Sequence, residues 1–102
     1  MRYMHFMPKL TEFLRKNKVI YTIREYKYSS DETIVPSIGK VKRTFIMELP
    51  NFQTFNPKEL WDEYVKLSGF SNAEDWVKTA ASFIKGKDVS MFLYHVKIVE
   101  GE

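Results

Sequence analysis

The 102 residues contain no cysteine. This rules out a disulfide scaffold, a thiolate zinc site and a cysteine nucleophile. Glycine and proline are scarce, four of each, and no glycine-rich phosphate loop, linker or low-complexity stretch is present. No apolar run approaches the roughly 20 residues that span a bilayer, and no apolar leader follows Met1. Residence away from membranes, in the cytoplasm, is the expectation. Gly-x-Ser-x-Gly and His-Glu-x-x-His are also missing, which removes the α/β-hydrolases and the zincins. Only His5 and His95 supply imidazoles. Without cysteine they would need carboxylate co-ligands, and no ligand spacing provides them, so neither a metal nor a cofactor is expected.

Aromatic residues are plentiful: eight Phe, six Tyr and two Trp. Many must lie in the core, because they bury the most area per side chain. The net charge of +3 is small, but it is unevenly spread. Residues 1–43 hold ten Lys/Arg against four Asp/Glu, and residues 44–102 hold six against nine. A basic half joined to an acidic half is the pattern of a protein with one polyanion-binding face. The length suits one domain, 1–102.

Hydrophobic periodicity predicts the elements. Residues 2–7 alternate loosely and read as a strand. Pro8 opens a short helix over 8–16, with Leu10, Phe13 and Leu14 at helical spacing and Asn17 as its terminator. Residues 19–28, Val-Ile-Tyr-Thr-Ile-Arg-Glu-Tyr-Lys-Tyr, are rich in β-branched and aromatic types and read as a strand. Strict alternation places Val19, Tyr21, Ile23 and Glu25 on one face, and Ile20, Thr22, Arg24 and Tyr26 on the other. Residues 29–39 read as a loop with a turn near Pro36 to Gly39. A strand follows over 40–49 and stops at Pro50. Asn56-Pro57-Lys58-Glu59 and Ser71-Asn72-Ala73-Glu74 each resemble a capping box. The first helix carries Leu60, Trp61, Tyr64, Val65 and Leu67, and stops at Gly69 in a left-handed C′ position. The second carries Trp76, Ala80, Phe83 and Ile84, ending near Gly86. A last strand covers 90–99. Separated strands with non-alternating helices give an α+β class.

Three stretches in this order resemble an ASCH domain. They are the short helix leading into Tyr21-Thr22-Ile23-Arg24, then Leu60, Ser68-Gly69-Phe70-Ser71 and Trp76, and finally the closing strand Met91 to Val99. Together they cover residues 6 to 99. The resemblance implies a PUA-like small β-barrel with flanking helices, and a cleft beside the Thr-Ile-Arg strand that binds RNA or a nucleobase. Some ASCH proteins are amidohydrolases that remove the acetyl group from acetylated cytidine. Thr22 matches their threonine, whereas Val19 and Ser68 stand where they carry lysine and glutamate.

Several residues are therefore singled out. Arg24, a cation inside an apolar strand, has the fork that suits a phosphate or a base edge; the competing role is a structural pair with Glu48. Thr22 is a hydrogen-bonding group, and the one candidate nucleophile if a base stands beside it. Lys16 and Lys18, with Arg15, make a basic turn before the strand, and Lys40, Lys42 and Arg43 are expected to join it as phosphate contacts. Tyr26 and Tyr28 are candidate stacking platforms for unpaired bases, with Tyr21 assigned to the core. An RNA-binding module is the leading expectation. A hydrolase of a modified nucleoside, a ribonuclease, and a protein-binding domain of a transcription or translation complex are the alternatives.

Overall fold

In a computed structural model of the protein, residues 3–25, 27–60, 62–83 and 90–99 are described, Gln53 by its backbone alone. They form helix α1 (Pro8–Asn17), strands β1 (Val19–Arg24), β2 (Glu32–Val35) and β3 (Gly39–Leu49), helices α2 (Asp62–Lys66) and α3 (Ala73–Ala81), and strand β4 (Met91–Ile98). Single 3₁₀ turns at Phe52–Thr54 and Pro57–Glu59 link β3 to α2. The class is α+β. The four strands make one antiparallel sheet in the order β1-β4-β3-β2, so β1 and β2 lie at its edges.

The expected strand over residues 2–7 is reduced to one parallel bridge between Tyr3 and Ile34, with Met4 N–H donating to the Ile34 carbonyl at 2.9 Å. Pro8 takes the first helical turn immediately afterwards and ends any extended run. β2 lies within the stretch read as loop. Its four residues, Glu-Thr-Ile-Val, are too few for periodicity to declare, and the turn at Pro36–Ile38 makes them a hairpin with β3. At the end of α1, Asn17 is the last helical residue and Lys18 takes the left-handed conformation at φ 70°, its N–H bonded to the Leu14 carbonyl. The cap of α3 is Asn72, one residue later than expected, with its side chain accepting from Asp75 N–H at 2.8 Å. Trp61, Ile84 and Gly86, assigned to the two helices from sequence, lie outside the described residues.

Both faces of the sheet are covered. α1 and the segment before it pack on the face bearing Ile20, Val41, Tyr94 and Val96, with Met4, Leu10 and Leu14 buried against them. The opposite face bears Ile23, Leu49, Met91 and Leu93 and is covered by Phe52, Leu60, Trp76, Val77 and Ala80. Phe70 touches both cores. It follows Gly69, whose φ of +86° turns the chain at the end of α2. A β-carbon there would sit 2.6 Å from Leu10 Cδ2, so glycine is required by conformation and by space. Gly69→Ala is expected to lower stability by about 2 kcal/mol, seen as a lower urea midpoint at unchanged m.

Candidate functional site

A cleft of about 460 Å³ opens beside β1. Tyr21, Thr22, Ile23 and Arg24 form its floor. Phe6 and Leu10 wall one side, and Phe70, Trp76 and Ala80 the other. The cleft exists because β1 is an edge strand. Tyr21 N–H donates outward to the Leu67 carbonyl at 2.8 Å, which brings Ser68 and Phe70 alongside the strand. Ser68 is buried. Its hydroxyl donates to the Val65 carbonyl at 2.7 Å and accepts from Phe70 N–H at 3.0 Å.

Arg24 is the polar centre of this cleft. Its Nε donates to Thr22 Oγ1 at 3.1 Å, its guanidinium lies 4.4 Å from the centre of the Phe6 ring, and the Tyr28 hydroxyl is close by. Burial pushes its pKa below the ordinary guanidinium value, opposed by the neighbouring Tyr28 and Tyr94 hydroxyls. Even so, a guanidinium remains charged at neutral pH. Among the described residues no carboxylate forms an ion pair with it. Glu48, the expected structural partner, instead accepts from the Ser90 hydroxyl at 2.7 Å. Of its five N–H donors, one meets the Thr22 hydroxyl, and those without a protein partner reach solvent, since no side-chain nitrogen among the described residues is buried unpaired.

The arrangement is held by a buried tyrosine pair. Tyr94 is fully buried at the centre of the sheet. Its hydroxyl accepts from Tyr28 N–H at 2.9 Å, and the two rings stack at 5.6 Å with an interplanar angle of 19°. Arg43 donates to the Tyr28 carbonyl at 3.2 Å and lies 5.9 Å from the Tyr94 ring. The segment after β1 is thereby tied back to β4 and β3, and the Tyr28 hydroxyl reaches Arg24.

Of the residues predicted from sequence, Thr22, Arg24 and Tyr28 therefore converge. The Tyr28 ring is committed to Tyr94, so this tyrosine supports Arg24 rather than offering an open stacking face. Tyr26 lies outside the described residues. Lys16 and Lys18 lie beyond the other end of β1 from Arg24, Lys18 about 20 Å away at ~3.3 Å per strand residue. Lys40 is paired with Glu32 at 3.8 Å, and Lys42 is exposed on the opposite sheet face. Alternation of strand side chains separates these lysines from Arg24. Sequence reasoning missed Phe6 and Phe70. Phe6 gives no local signal for a cation–aromatic contact made across an intervening helix.

Tyr21 also touches a second set of rings. His95 is its cross-strand partner, with ring centres 4.7 Å apart, and Tyr64 lies 5.0 Å away. Burial, then Tyr64 and Glu63, raise the Tyr21 hydroxyl pKa. Burial, then Lys97, lower that of His95. Comparison of the chain with family models, curated proteins and solved structures finds no match.

Two outcomes follow from this geometry. Tyr94→Phe removes the acceptor of a buried N–H and is expected to cost about 1–3 kcal/mol, measured by urea unfolding. His95 should titrate below the ordinary imidazole value of about 6.5, and its NMR midpoint should rise in Lys97→Met. In the window between the folded and unfolded pKa values the unfolded chain binds more protons. The His95 contribution to stability is therefore complete above the unfolded value and declines as pH falls below it.

Proposed function

We propose that the chain binds RNA, seating one unpaired nucleotide in the cleft beside Thr22-Ile23-Arg24 in the manner of an ASCH domain. The observation that carries this reading is Arg24: a half-buried cation without a carboxylate partner among the described residues, set in an aromatic cleft. A cleft of about 460 Å³ lies within the ~300–1,000 Å³ typical of small-molecule sites. Phe6 and Phe70, both partly exposed, offer apolar surface to a base, and the solvent-reaching donors of Arg24 offer hydrogen bonds to its edge or to a phosphate. Of the three positions the family resemblance singles out, Thr22 and Ser68 line the cleft and Val19 does not, and only Thr22 keeps the residue type of the family's amidohydrolases. The PUA-like barrel belongs to this reading too. Tyr3 bridges the β2 edge while α1 crosses to the β1 edge, so the N-terminal segment and the sheet wrap one core around Met4, Leu14 and Tyr94.

Binding is favoured over hydrolysis by the surroundings of Thr22. A nucleophilic hydroxyl needs a base beside it, whereas the Thr22 hydroxyl accepts from a guanidinium. Lys16 and Lys18 then act at a distance from the cleft, on phosphates further along a bound strand, with salt-dependent affinity. Arg24→Ala should weaken binding of a short single-stranded RNA at least tenfold, measured by fluorescence anisotropy. The exposed Lys58→Ala serves as the comparison and should lose little. Equal losses in the two variants would remove the cleft from the reading.

A further inference from the structure

The sheet face opposite Arg24 is covered by helices only in part. Tyr21, His95 and Phe45 form one row across β1, β4 and β3, being register partners in turn. The row is tilted at its β3 end by a bulge. Thr44 is the extra residue between Arg43 and Phe45, and its hydroxyl bonds His95 Nδ1. An extra residue bends the strand and re-aims the side chain that follows. Phe45 consequently stands 37% exposed, with Tyr64 of α2 nearly parallel to it at 6.2 Å. An aromatic ring held by its neighbours and left open to solvent is a stacking platform.

Two strand residues further along, about 6.7 Å, Lys97 and Lys42 are directly opposite each other on β4 and β3. Both are exposed, and neither has an ion-pair partner among the described residues. Glu32, the other cross-strand neighbour of Lys42, gives its carboxylate to Lys40. Like charges placed directly opposite are destabilising, and a phosphate between them would relieve the repulsion. Among the described residues, the acid on the Tyr21 side of the row is Glu63. Tyr21 heads the aromatic row and also lines the cleft, so one side chain belongs to both surfaces.

We propose that this face is a second binding element for the same RNA strand, with Phe45 stacking a nucleotide adjacent to the one in the cleft and Lys42 and Lys97 holding its phosphate. The inference rests on the RNA-binding reading of the cleft, and it names the bound form as an unpaired strand of several nucleotides rather than a single nucleotide.

The test measures anisotropy of labelled uridine and adenosine hexanucleotides, and NMR titration with the corresponding 5′-mononucleotides. Phe45→Ala should weaken hexanucleotide binding about tenfold and leave mononucleotide binding unchanged, while Phe45→Trp retains affinity. Lys42→Ala with Lys97→Ala, both on exposed positions, should reduce the salt slope by about two and gives a second readout should Phe45→Ala unfold. Hexanucleotide binding that falls in Arg24→Ala but is unaltered in both the Phe45 and the lysine variants overturns this inference and leaves the cleft reading standing. Absence of hexanucleotide binding by the unaltered protein overturns both. A dimer in sedimentation that Phe45→Ala dissociates, with no change in RNA affinity, assigns the face to a second copy of the chain and likewise overturns it.

Discussion

The hydroxyl of Tyr94 is the fixed point to which the candidate site is attached. β4 is hydrogen-bonded on both sides, to β1 and to β3, and Leu93, Tyr94 and Val96 within it are completely buried. A polar group at such a position is tolerated only with its hydrogen bonds satisfied. The Tyr28 backbone amide satisfies it, and this draws the segment after β1 back over the sheet. Arg24 then meets the Tyr28 hydroxyl on one side, the Thr22 hydroxyl on another and the Phe6 ring over its face. The same interaction thus closes the core and aims the cation.

An arginine in this setting is maintained against a cost. Removing a cation from water is expensive unless a charge or a set of acceptors replaces the lost hydration. Here an aromatic face and neighbouring hydroxyls replace part of the hydration, and water reaches the rest of the fork. Cation–aromatic contacts contribute about 0.5–2 kcal/mol depending on desolvation. Among the described residues no carboxylate pairs with Arg24, so its charge is held by these contacts and by water.

Much of the architecture was legible because periodicity speaks clearly over long elements. The alternation of Val19 to Arg24, the stripe Leu10, Phe13 and Leu14, and the break at Gly69 all translate into the observed faces and turns. β2 was hidden by its length and by the polar residues that precede it. Within the site, Thr22 and Arg24 stood out as polar groups in an apolar strand. Lys16 and Lys18 were grouped with them by nearness in sequence, and Lys40 and Lys42 by expected juxtaposition across the sheet, yet six residues of extended chain carry Lys18 to the far end of β1, and the pleat sends Lys42 to the other face. Phe6, Ser68 and Phe70 reach the cleft through tertiary contacts that no local pattern encodes. The bulge at Thr44 is of the same kind, since only the partner strand reveals that one residue is supernumerary.

The order of the strands also bears on how the chain comes to be folded. Residues 19–24 find their ladder only in residues 92–97, and long-range pairing of this sort is slow to form. During synthesis at ~5–20 residues per second, the first strand waits on the order of several seconds for its neighbour. For that interval a β-branched, aromatic hexapeptide has no partner, which is the composition that nucleates intermolecular pairing. Arg15, Lys16 and Lys18 before it and Arg24 at its end put charge on both flanks of the segment. Charge flanking a segment of this composition opposes its self-association, a consequence of the strand order that concerns the incomplete chain and not the finished fold.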